Sequence, residues 1–193
     1  TLQVTHNWAG HQFKYTMGIM DYEEEVHESS WGSSTVFFPV NRDQEFKQTS
    51  HELQISSDSD GALNYVAGFY YLEADSYITS GPIQPFTVNH EAEAQALYGE
   101  LTYDFNEQWS MMLGARYTEE DKNMQTYSWP PVVGDADRIA GNIDPSVLQM
   151  AATPEFSDDN LTYRAVIQRN FSKGMVYALS LIHISEPTRP STI

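Results

Sequence analysis

The sequence contains no cysteine, which excludes a disulfide framework and any thiolate metal site. It is also poor in basic residues, since 10 Lys and Arg stand against 27 Asp and Glu for a formal net charge of −17. A chain without a basic face cannot displace counterions from phosphates, so nucleic acid is not a predicted partner. No apolar run approaches the roughly 20 residues of a membrane helix. The mean hydropathy of −0.48 hides a strand pattern instead.

The clearest part of that pattern is a hairpin from Ala94 to Thr118. Successive side chains of a strand point to opposite faces, so each arm has one apolar and one mostly polar face. Residues 106–108 predict a tight polar turn between the arms. Small or aliphatic residues fill the middle of the apolar face and aromatics crowd the turn end, as a bilayer requires: Leu97, Leu101, Leu113 and Ala115, then Tyr103, Phe105 and Trp109.

The same alternation recurs along the chain and predicts about eight strands. The predicted strands cover residues 1–8, 11–19, 45–56, 62–73, the two hairpin arms, 161–168 and a last one from 175. Tight turns alternate with three long links, and the longest link, about 124–158, is expected to hold one helical turn at 145–150. Sorting of loops by length is typical of outer-membrane barrels. We therefore expect an all-β fold, an antiparallel up-and-down meander forming a curved open slice of a larger transmembrane β-barrel.

Several of these strands resemble those of the TonB-dependent outer-membrane receptors. The stretch from Gln48 to Ser56 resembles the family's "SQELRLAS" strand, and an aromatic strand from Leu63 to Tyr71 follows it. The segments at 98–103 and 113–118 resemble the family's "FGQATY" and "GLRYT" pair, and 163–165 with 175–178 resemble the pair after that. The order of these weak motifs is more specific than any one of them.

The resemblance implies active import of a scarce nutrient, such as a ferric siderophore, across the bacterial outer membrane. The expected partners are outer-membrane lipid, a small-molecule ligand, and TonB acting through a plug domain. Neither the plug nor the TonB box is found in this sequence, which begins at Thr1 without a secretory leader, so the chain is interpreted as a fragment. Alone it is expected to transport nothing.

The end of the chain departs from the family pattern. Residues 1–178 are interpreted as the partial receptor barrel. The string from Leu179 to Arg189 resembles the translation of a transposon-end adapter used in sequencing libraries. We therefore predict that residues 179–193 are a non-native tail and read no function from His183.

The predicted ligand contacts lie in the long outer loops, because long loops often carry function. Aromatic residues in these loops are the candidates: Trp31, Phe37, Tyr127 and Trp129. A second set of aromatics is expected to form a belt at the periplasmic side of the membrane: Trp8, Tyr103, Phe105, Trp109 and Phe171.

Candidate chemistry is sparse. The acidic run at 21–28 places Asp21, Glu23, Glu25 and His27 on one face, which suits a divalent cation or simply a solvated strand end. Glu100, Asp104 and Arg116 share the polar face of the hairpin, where they suit a glycosidase or the lining of a barrel lumen. The other histidines have no metal-ligand spacing, and no nucleophile motif is present. We expect no enzyme, no metal site and no cofactor.

Two alternatives stay open at this point. One is a small passive eight-stranded outer-membrane barrel that is complete in itself. The other is a secreted carbohydrate-binding β-sandwich, whose apolar faces would meet each other rather than lipid.

Overall fold

The computed structural model describes residues 1–29, 39–57, 61–81, 86–128 and 149–185. All strands in these ranges belong to one antiparallel sheet of nine strands. Their bounds are Leu2–Trp8 (β1), His11–Ser29 (β2), Pro39–Ser57 (β3), Leu63–Gly81 (β4), Phe86–Asn106 (β5), Trp109–Ser128 (β6), Gln149–Ala152 (β7), Glu155–Phe171 (β8) and Gly174–Ser185 (β9). The strand order is β1-β2-β3-β4-β5-β6-β8-β9, which confirms the predicted meander.

The short β7 and the long β8 together occupy one strand position in the sheet, and such a position is called a stave below. Both pair antiparallel with the same edge of β6. β7 pairs with the C-terminal end of β6, which is called the upper end below, and β8 pairs with the rest of β6 down to the β5–β6 turn. They are separated only by Thr153 and Pro154. Proline has no backbone N–H to give to a ladder, but the Pro154 carbonyl still accepts a bond from the Met124 amide at 3.1 Å. The nine strands therefore form eight staves.

Tight turns join β1 to β2, β5 to β6 and β8 to β9 at one end of the sheet, as predicted, while residues 58–60 of the turn predicted between β3 and β4 lie outside the described residues. Ala9 and Gly10, with φ of 53° and 79°, join β1 to β2, the pair of left-handed residues that two-residue hairpins favour. In the β5–β6 turn the Asn106 side chain accepts bonds from the amides of Gln108 and Trp109, at 2.9 and 3.1 Å. Such bonding between an Asn side chain and the following backbone amides is typical of tight turns.

The strands run further toward the opposite end than the sequence predicted. β2 continues to Ser29, β4 to Gly81 and β6 to Ser128. The link between β4 and β5 is only the four residues 82–85, so the long loop predicted there is wrong. The helical turn predicted at 145–150 is also wrong in its described part, because Gln149 and Met150 begin β7; residues 145–148 lie outside the described residues.

The register fixes two faces that run through all staves. The apolar face contains Leu63, Leu101, Leu113 and their neighbours two residues apart, and the polar face contains Tyr98, Glu100 and Arg116 with theirs. Large side chains of the apolar face are exposed, Leu97 by 65%. The two most buried apolar side chains, Ala74 and Ala96, lie instead on the polar face. Ordinary burial of apolar side chains in a core does not explain this sheet.

The two alternative architectures do not form in the part of the chain that the structure describes. A sandwich needs a second sheet over the apolar face, and all described strands lie in one sheet. A complete small barrel needs its end strands to pair, and β1 and β9 do not pair with each other. None of the described segments is a helix with the length and apolar character to cross a membrane.

Candidate functional site on the two faces of the sheet

The apolar face carries a band of nearly constant height. It covers about nine residues in β4, β5 and β6, which is the number that a tilted transmembrane strand needs, whereas β3 has only Leu53 and Ile55 as apolar residues at this height on this face. In β4 the band runs from Leu63 to Tyr71, in β5 from Leu97 to Phe105 and in β6 from Trp109 to Tyr117. Nine residues reach about 26 Å along a strand, which a tilt of about 35° shortens to about 22 Å along the membrane normal, near the roughly 25 Å apolar band of outer-membrane barrels.

The upper edge of this band steps across the sheet. The first carboxylate above it is Asp21 in β2, whereas in β6 it is Glu119. Through the ladder Asp21 lies level with Asn123, so between β2 and β6, which are four strand spacings apart, the edge descends by about four residues. β3 departs from this trend, since its first carboxylate on this face, Glu45, lies level with Glu23. With about 3.3 Å per residue and about 4.8 Å between strands, a level edge requires a strand tilt of about 35°. That tilt is typical of a barrel wall.

Above the band the same face becomes acidic. Its carboxylates include those that line a depression of about 590 Å³: Glu73, Asp75, Glu91, Glu93, Asp121 and Glu155. Within the described residues no group of three or more His, Asp or Glu side chains is arranged to hold a metal ion. Asp21, Glu23 and Glu25 belong to this acidic part of the face, in β2.

The polar face is built around Tyr98. Its hydroxyl donates to Glu52 Oε1 at 2.6 Å and accepts from Gln54 Nε2 at 3.2 Å. The ring reaches these partners, two strands away, by crossing the strand between them at Gly68. A Cβ at Gly68 would lie 2.5 Å from the Tyr98 hydroxyl oxygen and 2.9 Å from the Leu53 carbonyl oxygen. Glycine is therefore required here by close approach rather than by a turn.

Arg116 lies between two aromatic rings on the polar face. Its guanidinium carbon is 5.8 Å from the centroid of the Tyr70 ring and 5.8 Å from that of the Tyr98 ring. Its Nε donates to Thr118 Oγ1 at 3.1 Å. Both rings attract the cation, so the guanidinium is held against the wall of the sheet.

An ion pair lies next to this cluster. The Arg164 guanidinium donates to the Glu100 carboxylate, and Gly114 lies between them in the ladder. Because Gly114 has no side chain, the two charged groups meet across β6. Together with Arg116 they line a shallow depression of about 390 Å³. Glu100 and Arg116 therefore share the polar face, as predicted, but the ion-pair partner of Glu100 is Arg164, because Arg116 lies opposite Tyr98 in the register.

Higher on the polar face, Arg42 pairs with Glu24 at 2.6 Å. Partial desolvation raises the pKa of the neighbouring Tyr22 phenol, the Glu24 carboxylate raises it further, and the Arg42 cation opposes both. The polar face is therefore lined with charged and hydrogen-bonding groups along its height, as the wall of an aqueous lumen would be.

The structure places only some of the predicted contact residues. Trp31, Phe37 and Trp129 lie outside the described residues. Tyr127 lies in β6 rather than in a loop, and its hydroxyl donates to Gln125 Oε1 at 3.1 Å. The aromatics predicted to form a belt all lie at the end of the sheet that the tight turns close: Trp8, Tyr103, Phe105, Trp109 and Phe171.

The sequence did not single out Tyr98, Glu52 or Arg164 for the polar cluster. Glu52 lies within the strand that resembles "SQELRLAS", and Tyr98 and Arg164 lie within the segments that resemble other motifs of the family. Their association depends on a register across the five strands from β3 to β8, which periodicity alone does not give. The available signal was Gly68, an isolated glycine in a strand, which indicates close approach of another group.

Comparison with known proteins gives a consistent result. The family model described as the TonB dependent receptor-like β-barrel matches residues 1–180. The structure is similar to the ferric yersiniabactin uptake receptor FyuA from Yersinia pestis, with a TM-score of 0.72 at 15% identity. That match covers 91% of this chain and 26% of the receptor chain, so the chain spans about a quarter of the length of that structure. No curated protein matches the chain.

Proposed function

The chain belongs to the TonB-dependent receptor β-barrel family, and from that premise we propose that it is part of an outer-membrane transporter that imports a scarce nutrient such as a ferric siderophore. The family is one of transporters of the bacterial outer membrane and not of enzymes. The residues on the polar face are accordingly interpreted as the lining of the barrel, and Glu100 and Arg116 have no catalytic role in this proposal.

One observation carries the placement in the membrane. An apolar band about nine residues high crosses β4, β5 and β6 on one face only, while the opposite face carries Glu52, Glu100 and Arg164 at the same height. A soluble protein would bury such a band, and here large members of it are exposed. Lipid outside and a polar interior inside account for both faces together.

The same proposal assigns the source of energy for transport and the residues that contact the ligand. The plug domain and its TonB contact would lie elsewhere in the receptor, and the outer loops would contact the ligand. Trp31, Phe37 and Trp129 are the proposed ligand contacts in the loops, and Tyr127 is a proposed contact at the loop end of β6. Trp8, Tyr103, Phe105, Trp109 and Phe171 are the proposed periplasmic aromatic belt. The orientation follows from the tight turns, since in outer-membrane barrels the short turns face the periplasm.

The test is uptake by cells that carry the complete gene. Cells that express the receptor are expected to take up a ferric siderophore under iron limitation, and deletion of either the receptor gene or the tonB gene abolishes that uptake. Labelled iron is measured in cells given one siderophore at a time. Uptake that persists without TonB would indicate a passive barrel, and a full-length protein that stays in aqueous solution without detergent would contradict the membrane placement itself.

A further inference from the structure

Arg169 occupies an unusual place on the apolar face. It pairs in register with Trp109 on one side and Val176 on the other, and it lies between Ile167 and Phe171, two residues from each. All of these residues belong to the apolar face at its turn end. An arginine in this position adds a full positive charge to the edge of the lipid-facing band.

The contacts of Arg169 are aromatic rather than ionic. Its guanidinium carbon lies 5.1 Å from the centroid of the Trp109 ring and 4.7 Å from that of the Phe171 ring. No ion pair or hydrogen bond of this guanidinium is formed with any residue that the structure describes. Arg42, Lys47, Lys122 and Arg164 each pair with a carboxylate, whereas Lys14, Arg116 and Lys173, like Arg169, form no ion pair with the described residues.

The rings hold the guanidinium in place and leave its N–H groups to an external acceptor. A guanidinium presents a planar fork of donors that matches two oxygens of a phosphate. A second cation is close in sequence, because Lys173 lies in the turn from β8 to β9 and forms no ion pair within the described ranges. The β5–β6 turn, at the same end of the sheet, contains the carboxylate of Glu107. This carboxylate does not pair with Arg169.

The distribution of charge on the apolar face selects this end for an anion. Above the band the same face carries carboxylates, among them Glu73, Glu93 and Glu119, which repel phosphate. At the turn end of the band it carries Arg169, level with Trp109, and Lys173 lies in the following turn. A phosphate that meets this face is therefore attracted to the turn end and repelled from the other.

We propose that Arg169, held by Trp109 and Phe171 and assisted by Lys173, binds the phosphate of a phospholipid headgroup in the periplasmic leaflet. This inference rests on the proposed function, which supplies the membrane. The acyl chains of the lipid would lie along the band above Arg169, against Ile167 and Met111, which are paired in the ladder. Binding of the headgroup at this site would fix how deeply the sheet sits in the membrane, because Arg169 lies where the aliphatic residues of the band end.

The experiment uses the complete receptor purified in detergent and native mass spectrometry. Dioleoyl phosphatidylglycerol is the probe, and dioleoylglycerol, which has the same chains without phosphate, is the control lipid. The wild-type receptor is expected to retain phosphatidylglycerol and little dioleoylglycerol. Arg169→Gln is expected to weaken retention roughly tenfold, as loss of a charge-assisted pair of hydrogen bonds implies.

Lys122→Gln is the matched variant, because it removes one positive charge at the other end of the sheet, where Lys122 pairs with Glu120 at 2.8 Å. It should retain phosphatidylglycerol like the wild type. Equal retention by Arg169→Gln and wild type would overturn the site. If Arg169→Gln does not fold, the wild type still decides, since equal retention of the two lipids would overturn phosphate recognition.

Two further outcomes separate the possible sources of failure. Displacement of the lipid by millimolar inorganic phosphate would show a site for free phosphate and contradict the proposed lipid site. A receptor that needs no detergent and retains neither lipid would contradict the proposed function as well, whereas a detergent-requiring receptor with no preference contradicts this inference alone.

Discussion

At the scale of single residues, the polar cluster depends on the absence of a side chain at Gly68. The Tyr98 ring crosses β4 at this glycine to reach Glu52. Alanine ordinarily stabilises a strand relative to glycine by roughly 0.5–1 kcal/mol. Overpacking costs about 1–3 kcal/mol, so the steric term outweighs the gain, because one of the close atoms is a backbone oxygen that cannot rotate away.

Gly68→Ala is therefore expected to destabilise the receptor by about 1–2 kcal/mol. The measurement is the urea unfolding midpoint in detergent micelles. Gly99→Ala is the matched control, because a Cβ there meets nothing closer than the Val66 carbonyl oxygen at 3.7 Å. A Gly68 variant as stable as the Gly99 variant would contradict the close packing of Tyr98.

Tyr98→Phe tests the hydroxyl instead of the ring. The change removes the bonds to Glu52 and Gln54 while keeping the packing over Gly68. Loss of a bond to a carboxylate costs about 1.5–3 kcal/mol, reduced here because the cluster is only partly buried. Tyr103→Phe should cost less, since no hydrogen bond of the Tyr103 hydroxyl is formed with the described residues. Equal losses in the two variants, measured by the same unfolding assay, would refute the network.

At the scale of strands, the alternation that predicted each strand is confined to the apolar band. Within it, β4 alternates Leu63, Tyr65, Ala67, Phe69 and Tyr71 with more polar residues, and the strand was predicted correctly. Beyond Glu73 the large side chains Tyr77 and Ile78 are adjacent and so lie on opposite faces among polar or small residues, and the pattern disappears although the backbone ladder continues to Gly81. The sequence therefore predicted the part of each strand that carries the apolar band. It did not predict the polar extension of the strand beyond the band.

The band makes a prediction that depends on depth and face. Leu101→Arg places a charge near the middle of the band, where a lipid-facing cation costs about 2–4 kcal/mol. Thr102→Arg adds the same side chain one residue away on the polar face and is expected to cost less than about 1 kcal/mol. Folding of both receptor variants into liposomes, followed by denaturant titration, gives the comparison. Similar costs would mean that the apolar face does not meet lipid.

At the scale of the whole molecule, the sequence predicted the meander, the number of staves and the family. It could not predict how charged groups on the polar face pair, because Glu100 and Arg164 are 64 residues apart and meet only through the register of three strands. It also placed Tyr127 in a loop, although the residue pairs with Thr87 near the upper end of β6. The order of the strands could be predicted from the sequence, whereas the side-chain contacts between strands could not.

The tail supplies a prediction of a different kind. Residues 179–193 remain proposed as a translated adapter, although β9 extends through Ser185 in the structure. Amplification across this position from genomic DNA is expected to give a different sequence after Ala178, one that continues the strand alternation. Genomic DNA that encodes Leu179 to Ile193 without interruption would refute the proposal.

The meander order has a consequence for how such a wall can change over time. Each stave pairs only with its neighbours in sequence. A hairpin of two staves is therefore the smallest unit that can be gained or lost while the sheet stays antiparallel. Loss of β4 and β5 together would bring β3 and β6 side by side in opposite directions, ready to join an antiparallel ladder. Loss of one stave alone would leave neighbours that run the same way. Gene duplications and deletions that enlarge or shrink this wall are therefore expected to come in pairs of strands.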